Sequence, residues 1–270
     1  MTVINKKYKN IISLLLAVIC VGSIFAAVYN SVQLKKSEQA YAQAAAAAKE
    51  TPLQNIGQPE VSKSSQPKVW REATVTDDPY MDVMNAINLP ALREKNEDVI
   101  GWISIPDTSL DYPLMYSGDN EFYLNHTWEK KRNFAGAIFL EQFCKTDLSD
   151  FNTIIYGHRM DTDTMFTSLK HYSSQQYWNE HPYLYISDGA AHRYEIFSAY
   201  KTHVISDTYR LGIEDDNTKQ LFIDHCIDSS VIETDIVPTV NDRIVTLSTC
   251  DETFKGDYRW VIHARLKSAE

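Results

Sequence analysis

Residues 243–250 read R-I-V-T-L-S-T-C, and residues 258–266 read Y-R-W-V-I-H-A-R-L. The first run is rich in β-branched residues and ends on a cysteine, and the second alternates apolar and polar side chains. Both patterns are typical of β-strands. The polar stretch between them predicts that the two strands pair as a hairpin at the end of the chain.

Six further short apolar or β-branched runs come earlier in the chain. They are Val99–Ile105, Leu110–Met115, Ala137–Leu140, Thr153–Tyr156, Tyr183–Ile186 and Tyr194–Tyr200. Eight short strands predict a mainly β domain, either a barrel or a sandwich.

Helical patterns flank and interrupt these strands. Apolar residues from Tyr80 to Ile87 recur at helical spacing, and Pro90 is suited to open a second short helix that ends near Asn96. Similar patterns around 165–172 and 219–227 predict helices inserted between the later strands.

The N-terminal region carries an uncharged stretch of 19 residues, Ile11–Tyr29, preceded by three lysines within residues 6–9. A helix of this length nearly matches the hydrocarbon thickness of a bilayer, and the basic flank predicts a cytoplasmic N-terminus. The alternative is a signal peptide cleaved near Ala26–Ala27. We favour an uncleaved anchor because signal-peptide apolar regions usually cover only about 7–15 residues.

These features divide the chain into four parts: a cytoplasmic N-terminus (1–10), a transmembrane helix (11–29), a helical stalk and linker (30–78) and an extracellular folded domain (79–270). Residues 31–50 favour helix but offer no evident apolar face, and residues 51–78 contain three prolines and few large apolar side chains.

The charge and cysteine content exclude several classes of function. The chain has 36 acidic against 26 basic side chains, so a basic nucleic-acid binder is excluded. Its four cysteines show no paired spacing typical of a zinc site or a disulfide scaffold. We expect neither a metal ion nor a cofactor.

Three residues could together perform covalent catalysis. Cys250 ends a strand, which fixes its backbone at an accessible edge, and His158 follows the run T-I-I-Y-G just past the end of another strand. In the hairpin, Arg259 could lie beside Cys250 and hold a developing oxyanion. Each residue also has an ordinary structural interpretation, as a packed thiol, a loop histidine and a surface ion pair. His126 and His263 are rival histidines, although His263 lies four residues, about 13 Å, beyond Arg259 along the strand.

The combination T-L-S-T-C, Y-G-H and the final strand resembles the sortases, membrane-anchored cysteine transpeptidases of Gram-positive cell surfaces. The segments V-I-G-W-I-S-I-P (99–106), D-N-E-F-Y-L-N-H (119–126) and G-A-I-F-L-E (136–141) are similar to class B. The likeness covers about residues 80–266. It implies an eight-stranded sortase-type β-barrel with two N-terminal helices and inserted helices.

The resemblance also implies a mechanism. Cys250 would attack the threonine carbonyl of a sorting motif in a secreted protein and form a thioester, while His158 protonates the leaving amine and Arg259 stabilises the oxyanion. An amine of a peptidoglycan precursor or a pilin would then resolve the thioester. The class reads motifs of the N-P-x-T-N or N-P-x-T-G kind, and matching its groove assigns substrate contacts to Asn120, Leu124, Tyr209, Ser248 and Asp251.

Two other functions are compatible with the same residues. A cysteine hydrolase would use the same triad with water as acceptor, and a membrane-tethered receptor would use the aromatic residues to line a ligand pocket. Cys144 and Cys226 could form a disulfide, but we expect two free thiols, with Cys226 packing the inner face of its helix.

Overall fold

The computed structural model describes residues 6–49, 78–250 and 257–267, with the side chains of 14–49, 78–249 and 257–267. Its strands are β1 (Val99–Ser104), β2 (Asp111–Met115), β3 (Ile138–Leu140), β4 (Asn152–His158), β5 (Tyr183–Ser187), β6 (Ala191–His203), β7 (Ile244–Cys250) and β8 (Tyr258–Leu266). They form a closed barrel in the order β1-β2-β3-β4-β7-β8-β6-β5. The predicted eight-stranded barrel is therefore confirmed.

Strand pairing in the barrel is mixed. The β2–β3 and β4–β7 pairs are parallel, and the other pairs are antiparallel, including β5 with β1, which closes the barrel. Alternate residues point inward, so that Ile155 of β4, Leu247 of β7 and Ile262 of β8 are fully buried in the core. Burying one such side chain stabilises the fold by roughly 1.5–3 kcal/mol.

The two predicted N-terminal helices are confirmed as α2 (Pro79–Asn85) and α3 (Leu89–Lys95). Each begins with a side-chain cap, because Asp78 accepts a hydrogen bond from the Tyr80 amide and Asn88 accepts one from the Ala91 amide.

Further helices lie between the later strands. The segment Thr167–Ser173 forms a 3-10 helix, and α4 (Gln175–Glu180) follows it. The polar sequence of α4 has no helical periodicity, so this helix was not predicted. The helix α5 (Asp216–Ser229) confirms the predicted insertion before β7.

The N-terminal helix α1 (Lys6–Lys49) is continuous through the predicted anchor and stalk. Its last turns pack on the barrel, where Ala40, Ala44, Ala47 and Ala48 are buried and the helix contacts α3 and β2. The expectation that residues 31–50 offer no apolar face was wrong, because alanines spaced along one side of a helix form a narrow stripe that allows close packing. Apart from Asp78, the predicted linker (51–78) lies outside the described residues.

Candidate active site

The parallel pairing of β4 and β7 brings His158 and Cys250 together. The two strands pair along their full length, from the pair Asn152–Ile244 to the pair His158–Cys250. The backbones of His158 and Cys250 are therefore neighbours at the ends of their strands. The expectation that His158 lies past the strand end was wrong, since β4 runs through it. Any side chain at position 157 would displace the buried Phe166 ring, because a Cβ there would lie 2.7 Å from it.

The hairpin of β7 and β8 brings Arg259 to the same level. These strands are antiparallel as predicted, and Ser248 pairs with Val261. Continuing this register by two residues sets Arg259 opposite Cys250. The Arg259 guanidinium donates a hydrogen bond from Nη1 to the Tyr258 carbonyl (3.0 Å).

A groove of about 370 Å³ opens at this end of the barrel. Six of the residues expected from the sequence line it: Asn120, Leu124, His158, Tyr209, Ser248 and Arg259. Cys250 is described only through its backbone, and Asp251 lies outside the described residues.

The groove is also lined by four residues that the sequence interpretation missed, namely Phe139, Tyr156, Val204 and Thr249. Tyr156 could have been found, because it precedes His158 by two residues on one strand and therefore shares its face. Val204 comes from a distant loop, and its sequence neighbourhood carries no comparable signal.

The His158 ring is held in one orientation. Its side chain is only 6% exposed, and Nε2 lies 2.6 Å from the Leu124 carbonyl oxygen. Because a carbonyl only accepts hydrogen bonds, Nε2 carries the proton in this contact. Gly136 lies beneath the ring in the left-handed region (φ +59°), and a Cβ at this position would be 2.8 Å from His158 Cδ2.

The loop that carries Gly136 is tied to α1. The Tyr41 hydroxyl donates to the Gly136 carbonyl (2.5 Å), and the Trp128 indole donates to the Ala40 carbonyl (2.8 Å). Burial raises the pKa of Tyr41 above its usual range, so this hydroxyl remains a donor at neutral pH. The stalk end of α1 therefore supports the wall against which His158 packs.

Two hydrogen-bonded pairs fix polar groups of the groove. Asn120 donates from Nδ2 to Glu141 (2.6 Å) and accepts from the Gln142 amide (2.9 Å), which defines the orientation of its side-chain amide. Across the groove, the Tyr209 hydroxyl lies 2.9 Å from the Ser248 hydroxyl.

Neither rival histidine lines the groove. His126 bonds to the Phe122 carbonyl through Nδ1 (2.8 Å) and stacks on the Phe122 ring. His263 is fully buried, pairs with Thr246 in the register and bonds to the hydroxyls of Thr246 and Tyr200. Burial lowers the pKa of His263 to about 3, so its ring is neutral under ordinary conditions.

Cys144 and Cys226 are buried free thiols, as expected. Burial raises the pKa of Cys144 to about 11 and that of Cys226 to about 12, so neither is a ready nucleophile. Cys226 packs on the inner face of α5, which confirms its predicted position. In the described part of the chain, no three His, Cys, Asp or Glu side chains are placed to hold a metal ion.

The structure thus has a closed β-barrel with a histidine and an arginine in one groove, at the level of a strand-end cysteine. This arrangement is compatible with covalent catalysis by the cysteine. The family described as "Sortase domain" matches residues 103–267. Sortase B of Staphylococcus aureus is 35% identical over 173 residues, which cover 64% of this chain and 71% of that protein.

Solved structures give the same result. A sortase B–substrate complex from S. aureus superimposes with a TM-score of 0.64 at 34% identity and covers 67% of this chain and 85% of that one. Sortase B from Bacillus anthracis in complex with AAEK1 has a TM-score of 0.69 at 28% identity, with coverages of 87% and 98%. The chain belongs to the sortase family and resembles its class B, and it is a cysteine transpeptidase.

Proposed function

We propose that Cys250, His158 and Arg259 are the catalytic residues of this transpeptidase. The observation that supports the proposal most directly is the β4–β7 register, which pairs the backbones of His158 and Cys250 at the rim of the groove. Position 250 also directly follows Ser248 and Thr249, two groove residues. Arg259, at the same level on β8, completes the set.

In the first half-reaction the Cys250 thiolate attacks the carbonyl carbon of the threonine in the sorting motif. The tetrahedral oxyanion is stabilised by the Arg259 guanidinium, whose planar donors suit a charged oxygen. When the oxyanion collapses, the peptide C–N bond breaks, His158 gives a proton to the departing amine, and a thioester remains.

The second half-reaction reverses the proton transfer. An incoming amine attacks the thioester carbonyl, loses a proton to His158, and expels the Cys250 thiolate as the new amide forms. Since Nε2 of His158 donates to the Leu124 carbonyl, we assign the exchanging proton to Nδ1.

The groove is the proposed binding site of the peptide substrate. We infer that the groove binds a motif of the N-P-x-T-N or N-P-x-T-G kind near the C-terminus of a secreted protein. The contacts to the motif come from Asn120, Leu124, Tyr209 and Ser248, and from Asp251 in the loop after β7. The Asn120 amide is held by Glu141 and Gln142. Its second N–H has no partner among the residues that the structure describes, so it can donate to a peptide carbonyl. The acceptor is an amine of a peptidoglycan precursor or of a pilin.

The helix α1 supports a location at the membrane. Its most apolar 18 residues have a mean hydropathy of 2.1, and this helix is long and apolar enough to cross a membrane. With lysines before the apolar stretch, we propose a single-pass anchor with the N-terminus in the cytoplasm and the barrel on the outer surface.

Product analysis tests this function. The full chain is incubated with N-P-x-T-N and N-P-x-T-G peptides, with and without a glycine-oligomer or lysine-containing amine, and the products are separated by mass. We expect a ligated peptide that requires both motif and amine. A free acid alone, in equal amounts with and without the amine, would instead identify a hydrolase, and an uncleaved panel would contradict the proposed motifs.

A further inference from the structure

A second cleft, of about 360 Å³, lies between α1 and the loop 127–133. Three glutamines of α1 line it together with the charged side chains Lys36, Glu129, Lys131 and Arg132. The cleft shares no lining residue with the catalytic groove. It is therefore a separate concave surface, and the sortase reaction proposed above does not use it.

The cleft is basic although the protein is acidic. Three cationic side chains and one carboxylate line it, whereas the whole chain has a net charge of −10. Lys131 pairs with Glu129 (2.9 Å). Neither Lys36 nor Arg132 pairs with a carboxylate among the residues that the structure describes. Two positive charges therefore remain for an anionic ligand.

One residue of the cleft lining also carries a buried, unpaired polar atom. Thr127 lines the cleft, is 3% exposed, and its hydroxyl has no hydrogen-bond partner in the described structure. Buried hydroxyls are almost always satisfied, so an isolated one requires an explanation. A ligand reaches this buried hydroxyl only when the loop 127–133 moves, whereas the glutamines that line the cleft offer their amide donors to an oxyanion directly.

The position of the cleft along α1 indicates the source of that anion. The proposed membrane segment ends at Tyr29, and helix rise places Gln33 about 6 Å and Lys36 about 10 Å beyond it. The Asn133 side chain donates to the Gln33 carbonyl (2.8 Å), so the loop 127–133 lies at the same depth. A headgroup layer is about 5–7 Å thick. The lower edge of the cleft therefore meets the lipid headgroups.

We propose that this cleft binds the phosphate-bearing headgroup of an anionic membrane lipid. The inference rests on the proposed membrane anchor. The backbone of Lys36 lies just beyond the headgroup layer, but helical side chains lean toward the N-terminus, here the membrane side, so its long side chain reaches back to the layer. Lys36 and Arg132 neutralise the phosphate, and the glutamines donate to its oxygens and to the polar headgroup. A bound lipid holds the 127–133 loop against the bilayer, and the barrel thereby takes a defined orientation at the membrane surface.

The test uses the full chain in a neutral detergent. Dihexanoyl-phosphatidylglycerol, dihexanoyl-phosphatidylcholine and glycerol 1-phosphate are titrated into it, and binding is measured by calorimetry. The test variant is Lys36→Gln with Arg132→Gln. The control is Lys35→Gln with Lys170→Gln, which removes the same charge from exposed positions outside the cleft.

We expect saturable binding of the phosphatidylglycerol only. Each cation near a lipid phosphate contributes about fivefold to affinity, so the cleft variant should bind about 25-fold more weakly and the control within twofold of the wild type. Equal losses in the two variants would overturn the proposal in favour of diffuse attraction. Equally tight binding of glycerol 1-phosphate would overturn it in favour of a soluble phosphate ligand, and equal binding of the phosphatidylcholine would overturn the role of charge.

Failure of the anchor is detected separately. The wild-type chain is reconstituted into pure phosphatidylcholine vesicles and washed at high salt. Retention in the vesicle pellet reports the membrane helix whatever the cleft does, and peptide transfer in the same sample reports the catalytic groove.

Discussion

Gly136→Ala should reduce catalysis sharply although residue 136 touches no substrate in the proposed mechanism. An alanine Cβ would lie 2.5 Å from the Tyr123 carbonyl oxygen and 2.8 Å from both the Leu124 oxygen and His158 Cδ2. Ordinary contacts begin near 3.4 Å. The backbone or the imidazole must therefore move by about 0.6–0.9 Å, and either movement disturbs the hydrogen bond that orients His158.

The expected loss follows from the size of that displacement. Misplacing a catalytic group by about 1 Å costs about 10²-fold in rate, so kcat/KM on a sorting peptide with a fixed amine should fall by about that factor. The left-handed backbone and the overlap together should cost roughly 2–5 kcal/mol of stability. Thermal melting and circular dichroism establish the temperature at which the variant remains folded for the assay.

Gly212→Ala is the matched control. Gly212 has φ +62°, close to the +59° of Gly136, but a Cβ there meets nothing within 4 Å. It shares the backbone strain without the contact to His158, and we expect less than a threefold change in kcat/KM. If folded Gly136→Ala were as active as Gly212→Ala, the positioning of His158 by this loop would be refuted.

Four further predictions concern the groove, the core and the membrane anchor. His158→Ala should lower kcat/KM by about 10²–10⁴-fold, while His126→Ala should have little effect; equal activity of the two variants would contradict the role of His158. Arg259→Lys should remain about 10²-fold impaired because an ammonium lacks the planar fork of the guanidinium. Full activity of the lysine variant would contradict the role of Arg259. Because the folded-state pKa of His263 is lowered to about 3, its contribution to stability is complete above pH 6.5 and is lost as the pH falls from 6.5 to 3. Denaturant titrations should show that this contribution, roughly 4 kcal/mol, is missing from the pH-dependent loss of stability of His263→Gln. An identical pH dependence of the two proteins would argue against a buried neutral ring. Protease added to intact protoplasts should digest the barrel and spare a tag at the N-terminus, whereas a secreted form lacking residues 1–27 would show that the apolar segment is a cleaved signal.

Much of the barrel could be predicted from the sequence because its strands are short, β-branched runs separated by polar turns. All eight strands occur at the expected places, and their ends shift by at most a few residues. The largest extension is β6, which begins at Ala191 instead of Tyr194 and ends at His203 instead of Tyr200. Its terminal residues are more polar, and only the neighbouring strands β5 and β8 determine that they pair.

The site could be predicted only in part. Six expected residues line one groove. Five of them lie in the family motifs, and Tyr209 was assigned only by matching the groove of class B. The contacts that orient His158, namely the Leu124 carbonyl and Gly136, are backbone groups, and a backbone group has no residue type by which a sequence pattern could reveal it. The docking of α1 was missed for a related reason, because alanine is favourable both on an exposed helix and in a tight interface.

The most direct test of the central claim is to trap and locate the thioester. The full chain is mixed with an N-P-x-T-N peptide in the absence of added amine, quenched in acid and digested, and the acylated fragment is identified by mass spectrometry. The account predicts an acyl group ending in threonine on the fragment that contains Cys250, its absence in Cys250→Ala, and its disappearance into ligated product when an amine is added before quenching. An acyl group on Cys144 or Cys226, or transfer that persists in Cys250→Ala, would contradict it.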